Sequence, residues 1–551
     1  MRYLFIGACS FVIFLMGYTR VEIPTNQVDR EAYLRVIQKK QLTSISCTPD
    51  WSTYQLTKTE IQQMIPLPGI GTHAWKISTK SDSAQFYFNQ GINLYYGFHI
   101  LESLPSFKKA QLFDSGCAML YWGEALAYGP NINDYGYAAS PDALIAVRNA
   151  KEHLNKASPN EKELVDAMAA HFSNDSTEKR KHLNESYADK MKALYAKYPR
   201  DAEIGTLYAD ALMNLHPWDL WKHNGNPQPW TPQIETLLEN ILKYTPDHPG
   251  ANHYYIHTME ASPYAEKANA SADRLGRLAP GMSHMVHMPS HIYIRTGQYD
   301  KGVKVNKDAV ARYAAYFSLY PEVASNAWLY EIHNRHMQAA CSMNQSDYST
   351  ALKDARDCRN SLDFSLLSME APGGNNMQYV YMTPELTMVT FGKWNDILSQ
   401  PEVDKQYHYA ALIQQFAMGI AWANTGELTK AKSAADKIDD LLNEEDLAVV
   451  PTPFSAAVTS GKIAKYILLG NIAEKEDNLA VALNSYKIAV AIEDGLVYNE
   501  PRDWLVPARH YFGNLLLKFK RKKDAEQIFR KDLKVQPKNY LSEIGLKNAL
   551  H

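Results

Sequence analysis

Histidines are concentrated in one stretch of the sequence. Seven of the 18 histidines lie between positions 253 and 336: His253, His257, His284, His287, His291, His333 and His336. Within this stretch they are spaced by three or four residues, so each set shares one face of a helix. Glu260 follows His257 by three residues and extends the first set. The spacing therefore predicts three helices, each with one stripe of ligand-forming side chains.

The positions of these stripes relative to the following turns are repeated. His284 and His287 lie 13 and 10 residues before Gly297, and His333 and His336 lie 13 and 10 residues before Ser346. His253 precedes His284 by 31 residues, and both follow a Pro-Gly step. If the turns are equivalent, the stripes occupy matching positions on successive helices. We therefore expect them to face one common groove.

Imidazole and carboxylate ligands on neighbouring helices suit transition metals. The pattern predicts a metal site built from these seven histidines and Glu260, with enough donors for two metals, and copper, zinc or iron as the candidate ions. It differs from the metalloprotease HExxH motif, because Tyr254 follows His253 where that motif has its glutamate. The alternative is a polar groove that binds a peptide or a glycan without metal.

Other side chains near the stripes can contact a ligand. Arg295 follows His291 by four residues and can receive an anionic group, and Glu260 and Arg295 are the candidates for catalysis. The predicted ligand groove contains Tyr254, Tyr293, Arg295, Trp218 and Trp221. Exposed tryptophans stack well on sugars or peptides, although packing of their loop onto the helices is the alternative.

The elements that carry these residues are predicted to be helices. Apolar residues recur at helical spacing over segments of roughly 12 to 18 residues between short turns, and strand-like alternation is hard to find. Glycine is also scarce, at 27 of 551 residues. The sequence therefore predicts an all-α fold.

Several helix pairs recur with small residues at matching offsets. One pair is joined by Gly297-Gln298-Tyr299 and another by Gly426-Glu427-Leu428, and Gly513, Ala525, Phe529 and Pro537 mark a third. This layout resembles the tetratricopeptide repeat, whose unit is about 34 residues long. The resemblance implies a right-handed solenoid of helical hairpins over residues 81–551, with degenerate repeats and a concave ligand-binding groove. The clearest repeats are expected at about 83–116, 250–318, 329–360, 410–440 and 505–538.

Four segments resemble parts of exported bacterial tetratricopeptide-repeat proteins. They are CAMLYWGEALAYGPNIND, PWDLWKHNGNPQPW, GANHYYIHTMEAS and HMVHMPSHIYIRTGQYD. This resemblance implies an architecture and leaves the activity open.

The N-terminus has the pattern of an export signal. An apolar run over residues 3–18 follows Met1-Arg2 and precedes Arg20. The run is shorter than the roughly 20 residues of a typical transmembrane helix, so residues 1–20 are predicted to be a signal peptide, with an N-terminal anchor as the alternative. Residues 21–80 are predicted to be a linker or N-terminal segment, and the protein to be periplasmic or in the outer envelope.

The cysteines do not define a disulfide pattern. Cys47, Cys117, Cys341 and Cys358 follow the predicted signal, and none forms a CxxC pair. We expect them to be buried as small apolar side chains.

Charge narrows the choice of partners. Lys and Arg number 57 against 60 Asp and Glu, for a net charge of −3, which disfavours binding driven by nucleic-acid phosphates. The expected partner is a peptide, protein or small molecule in the groove, with membrane contact only through the N-terminal segment. Three functions remain: a metal-containing ligand-binding protein, a metal-dependent hydrolase or oxidoreductase, and a metal-free protein-protein interaction scaffold.

Overall fold

The computed structural model describes residues 56–133, 137, 139–175, 177–319, 324–451 and 454–551. The predicted signal peptide or anchor at residues 1–20 lies outside the described residues, as do residues 21–55 with Cys47.

Helices make up the first half of the described chain. Their bounds are α1 Lys58–Gln63, α2 Asp82–Tyr96, α3 Ile100–Gln111, α4 Ala118–Ala127, α5 Pro141–Glu152, α6 Pro159–Ala169, α7 Arg180–Lys197, α8 Ala202–Leu215, α9 Thr231–Tyr244, α10 Pro249–Met259, α11 Asn269–Leu278, α12 Ser283–His287, α13 Pro289–Arg295 and α14 Tyr299–Leu319.

The second half continues in the same way. Its helices are α15 Ala324–Met343, α16 Tyr348–Asn360, α17 Gly373–Tyr381, α18 Thr383–Thr390, α19 Trp394–Leu398, α20 His408–Thr425, α21 Leu428–Leu441, α22 Ala457–Lys475, α23 Leu479–Asp494, α24 Ala508–Lys518, α25 Lys522–Val535 and α26 Tyr540–Leu550.

Most of these helices pack in pairs against their neighbours in the chain, as in α2 with α3, α14 with α15, and α20 with α21. Gly297 and Gly426 adopt positive φ angles of 69° and 93° at two of the predicted turns, a conformation that glycine adopts without steric cost. At Gly302 a Cβ atom would lie 2.6 Å from Cys341 Sγ, so α14 and α15 approach closely at this small residue. The predicted all-α fold of helical hairpins is confirmed.

The helices enclose two main hydrophobic cores. One contains buried residues from Met64 to Tyr330 and the other contains buried residues from Met343 to Ala549. α12, α13 and α15 lie where the two cores meet in sequence. The predicted histidine stripes are carried by these helices and by α10.

Part of the segment predicted as a linker is packed against the body. Leu67, Trp75 and Ile77 are buried in the first core, and the backbone N–H of Leu67 donates to Gln90 Oε1 at 2.9 Å. Residues 64–77 therefore belong to the folded unit, because their apolar side chains pack into the first core beside α2.

Three cysteines, Cys117, Cys341 and Cys358, are free thiols and buried.

Among the helices that the structure describes, none combines the length and apolar character needed to cross a membrane.

Candidate metal centre

Four helices bring the predicted histidines together. α10 carries His253 and His257, α12 carries His284 and His287, and α13 and α15 carry His291 and His333. The helical segment around Pro289 is divided into α12 and α13 at Met288, because proline has no N–H to continue the hydrogen-bond ladder. This break leaves His284, His287 and His291 on one side of the helix pair.

Three imidazoles meet in what we call the first triad, formed by His253, His257 and His284. His253 Nε2 lies 3.1 Å from His257 Nε2 and 3.2 Å from His284 Nε2. All three side chains are buried, and the ring of Phe98 lies against them, 4.5 Å from the His253 ring. The three nitrogens thus converge on one point in a water-poor environment.

Hydrogen bonds orient two members of the first triad. His253 Nδ1 lies 2.6 Å from the Tyr96 carbonyl oxygen, and His257 Nδ1 lies 2.8 Å from Glu260 Oε1. Because a carbonyl accepts only, Nδ1 of His253 donates and its neutral ring has a lone pair at Nε2. His257 has the same arrangement when Glu260 is ionised, and the two Nε2 lone pairs then face each other at 3.1 Å. Nδ1 of His284 has no partner among the described residues.

A second triad consists of His287, His291 and His333. One nitrogen from each lies within 4.8 Å of the others, and His287 Nε2 is 2.7 Å from His291 Nε2. His287 Nδ1 donates to Asn306 Oδ1 at 2.5 Å, and Asn306 Nδ2 donates to the Gly302 carbonyl. The asparagine is thereby oriented to accept, which leaves the Nε2 lone pair of His287 facing His291.

Glu260 links the two triads. Its Oε1 lies 2.8 Å from His257 Nδ1 and its Oε2 lies 2.7 Å from His291 Nδ1, while Glu500 Oε1 lies 2.9 Å from the same His291 nitrogen. Histidine ligands of metals commonly hold their second nitrogen in this way. Glu260 is therefore placed to orient one imidazole of each triad rather than to serve as a direct ligand.

These carboxyl groups and His291 shift one another's pKa values. Burial lowers the pKa of His291, but Glu500 and Glu260 outweigh burial and raise it to about 10. Burial raises the pKa of Glu500, but His291 outweighs burial and lowers it to about 2. Burial, with the neighbouring Glu500, raises the pKa of Glu260 well above its usual range. The site therefore keeps a negative charge beside His291.

The other histidines are held neutral. Burial lowers the pKa of His253 to about 3 and that of His333 to about 4. Burial and adjacent imidazoles also lower the pKa of His257, His284 and His287 well below the usual value. Neutral imidazole is the form that binds metal.

The triads border a cavity of about 230 Å³. His257, His284, His291 and His333 all line it. Aromatic side chains form much of the remaining wall, with Trp218 at 5.7 Å from the His257 ring and Tyr330 at 5.5 Å from the His284 ring. Asn499, Glu500 and Asp503 come from the C-terminal half. Both triads are therefore accessible from one largely apolar space.

The remaining predicted residues occupy different places. The cavity wall includes Trp218 and His336. His336 belongs to neither triad, and its Nε2 has no hydrogen-bond partner among the described residues. Trp221 donates to the Thr258 carbonyl at 2.6 Å and packs on α10, so it does not contribute to the cavity wall.

Two tyrosines and one arginine also lie away from the cavity. Tyr254 is buried beside Tyr96. Tyr293 donates to Asp273 Oδ1 at 2.7 Å. Arg295 lines a separate, smaller cavity.

Some site residues were absent from the sequence prediction. The prediction does not include Glu500, Asn306 or the Tyr96 carbonyl. No spacing rule connects these positions to the histidines, since contact between them depends on how the hairpins stack.

A further polar cluster lies behind α10. His73 Nε2 is 2.6 Å from Glu203 Oε1, and His248 Nε2 is 3.5 Å from Glu203 Oε2. Tyr96 also donates to Glu203 at 2.6 Å. His248 Nδ1 accepts from the Ala251 N–H, so this histidine caps α10, and the cluster supports the backbone segment that holds His253.

Comparisons with known proteins concern architecture alone. No protein-family model and no curated protein matches the chain. Among solved structures, the human IFIT1 dimer with m7Gppp-AAAA is similar at 12% identity and a TM-score of 0.30, covering 86% of this chain and 90% of that one. Yeast Tom70 is similar at 11% identity and a TM-score of 0.27, covering 85% and 89%. The APC/C hetero-tetramer Cut9-Hcn1 is similar at 11% identity and a TM-score of 0.26, covering 86% and 79%. We draw no functional conclusion from similarities of this size.

Proposed function

We propose that this protein is a metal-containing binding protein, in which each of the two triads holds one transition-metal ion. The convergence of the Nε2 atoms of His253, His257 and His284 carries this proposal. His253 Nε2 has a lone pair and lies 3.1 Å from His257 Nε2 and 3.2 Å from His284 Nε2, and burial lowers the pKa of all three rings. A metal ion would take a lone pair from each neutral ring without needing a proton.

Six imidazoles supply the proposed ligands. His253, His257 and His284 would hold one ion, and His287, His291 and His333 the other. Nitrogen ligands of this kind suit copper, zinc and iron, and Glu260 would orient one ligand of each set. Each triad also has a metal-free arrangement. A proton on His291 can bridge to His287, and a protonated Glu260 can donate to His257 Nδ1, whose Nε2 then donates to His253. Metal content therefore decides between the two explanations.

The cavity beside the triads supports binding of a small molecule. Its volume of about 230 Å³ and its aromatic walls suit a compact organic ligand better than an extended peptide. Three protein ligands leave a coordination position open in catalytic zinc sites. Because members of both triads line the cavity, a bound molecule could reach that position, which favours a metal-dependent hydrolase or oxidoreductase as the second candidate function.

Metal analysis of single variants tests the proposal. Protein purified without a His tag and reconstituted with copper, zinc or iron should contain up to two ions per chain by mass spectrometry. His284→Ala should remove the ion of the first triad, and His333→Ala that of the second. His182→Ala is the control, because His182 is exposed, at 65%, and lies far from the triads in sequence.

The outcome separates the three functions. A parent protein that binds none of the three metals would leave only the metal-free interaction scaffold. Metal binding that persists unchanged in both triad variants would reject these histidines as ligands. Metal with a vacant, exchangeable coordination position, seen by spectroscopy with azide as the probe, would support the enzyme.

Export is proposed on the N-terminal sequence alone. The apolar run at residues 3–18 supports a signal peptide or a membrane anchor in a bacterial envelope. N-terminal sequencing of protein recovered from the periplasm tests this, and a chain found only in the cytoplasm with Met1 intact would contradict it.

A further inference from the structure

A second, smaller cavity lies behind Glu500, on the side away from the triads. Its volume is about 40 Å³, and its walls come from α13, α15, α24, α25 and the loop at residues 498–507. Glu500 and Pro501 line both cavities, so only this loop separates them. The proposed metal centre does not use the smaller cavity.

Four hydrogen-bond donors on the walls of this cavity lack partners among the described residues. They are Arg295 Nε, Arg502 Nη1, Trp504 Nε1 and Gln536 Nε2, and all four atoms are buried. The Trp504 side chain is fully buried, at 0% exposure. Each of these nitrogens donates only. Leaving a buried donor unsatisfied costs about 1–3 kcal/mol, so four in one cavity indicate a missing acceptor.

Two of the donors are cationic. Arg295 Nη2 donates to the Ser262 carbonyl at 3.0 Å, and Arg502 Nη2 to Glu493 Oε1 at 3.0 Å. These bonds anchor each guanidinium, whereas Arg295 Nε and Arg502 Nη1 have no partner among the described residues. Burial lowers the pKa of Arg295, and the like charge of Arg502 lowers it further. An anion between the two arginines would relieve that repulsion.

Glu500 supplies the one carboxylate among the residues that line this cavity. Its Oε1 lies 2.9 Å from His291 Nδ1, on the side of the triads. It forms no hydrogen bond with Arg295 Nε, Arg502 Nη1 or Trp504 Nε1, which have no partners among the described residues.

We propose that this cavity binds one small inorganic anion of about the size of chloride. A single water needs about 10–15 Å³ of such space, so a cavity of about 40 Å³ admits one halide or a few waters and excludes organic acids. The four unpaired N–H donors favour a ligand that only accepts hydrogen bonds. The positive charges of Arg295 and Arg502 favour a ligand that is negatively charged.

Bromide soaks of crystals and halide titrations in solution test the site. We expect an anomalous bromide peak in contact with Trp504 Nε1 and an arginine, and a saturable rise in the unfolding temperature with chloride that gluconate does not reproduce. Trp504→Phe removes one N–H and keeps most of the ring, so the dissociation constant for chloride should rise about tenfold. Gln536→Leu should also weaken binding, and Arg312→Gln, at an exposed position, should not.

Each alternative result would overturn the proposal. Ordered water without an anomalous peak would show that the donors are satisfied by solvent. A peak in the crystal without saturable binding in solution would show binding at crystal concentration only. If Trp504→Phe does not fold, Gln536→Leu provides the second test, and unchanged chloride affinity in that variant would reject the cavity as the site.

Discussion

At the scale of single residues, Glu260 is the group on which both triads depend. Its two oxygens lie within hydrogen-bond distance of His257 and of His291. With metal on both triads, Glu260 would be ionised and would accept from both imidazoles. A glutamine at this position has only one oxygen, so it can accept from one imidazole and must present an amide N–H₂ to the other. One ring would then lose the hydrogen bond that directs its Nε2 lone pair into the triad.

We therefore expect Glu260→Gln to weaken metal binding about 10–100-fold, the usual effect of removing such a supporting hydrogen bond. Titration against a chelator of known affinity measures the change. Glu266→Gln serves as the control, since Glu266 is exposed. An unchanged affinity in Glu260→Gln would show that the triads do not need this carboxylate.

At the scale of elements, α10 is positioned by its contact with α2. A Cβ atom at Gly250 would lie 2.5 Å from Tyr96 Cδ1, closer than real Cβ atoms approach. The carbonyl of the same tyrosine accepts from His253. Tyr96 therefore has two roles: its ring packs against α10, and its carbonyl orients the proposed ligand His253.

Gly250→Ala should force α10 away from Tyr96 and lower the free energy of unfolding by about 1–3 kcal/mol, as overpacking in a core does. Metal affinity should fall as well, because His253 moves with the helix. Chemical unfolding and chelator titration measure the two effects. Gly276→Ala is the matched control: its nearest neighbour is the Val286 Cα at 3.9 Å, and alanine in a helix interior should stabilise by about 0.5–1 kcal/mol. Equal effects in the two variants would contradict the close approach at Tyr96.

The sequence was most informative about the helices and their pairing into hairpins. Helical spacing and the turn glycines Gly297 and Gly426 identified the hairpins, because these signals are local. The same local spacing grouped His253 with His257 and His284 with His287. It could not show that His284 joins the first triad while His287 joins the second, since that division depends on which neighbouring helix each side chain of α12 meets.

At the scale of the whole molecule, the site joins parts of the chain that are far apart in sequence. Glu500 reaches His291 from the loop before α24, and Asp503 from the same loop lines the cavity. The curvature of a stack of hairpins decides which loops return to the groove. That curvature is the sum of small rotations between successive repeats. For this reason the histidines were predictable from the sequence and their C-terminal partners were not.

The burial of so many neutral histidines should make the stability of the metal-free protein depend on pH. Burial holds the pKa of His253 and His336 at about 3 and that of His333 at about 4, whereas the unfolded value is about 6.5. Below pH 6.5 these histidines bind protons in the unfolded chain but not in the folded chain, so the free energy of unfolding decreases as the pH falls. His291, with its raised pKa, is protonated in both states below pH 6.5 and does not alter this trend.

In the presence of EDTA, the free energy of unfolding should therefore decrease between pH 6.5 and pH 5, by up to about 2 kcal/mol for each buried neutral histidine. Urea unfolding at pH 7, 6 and 5 measures the slope. His336→Phe should reduce the slope by the contribution of one histidine without removing a triad member, and His182→Ala, at an exposed position, should leave it unchanged. Burial also raises the pKa of Glu260, and that of Asp210 to about 7, so these carboxyl groups take up protons in the folded chain and partly offset the histidines. The decisive comparison is therefore between variants: a slope in His336→Phe equal to that of the parent would contradict the burial of this imidazole.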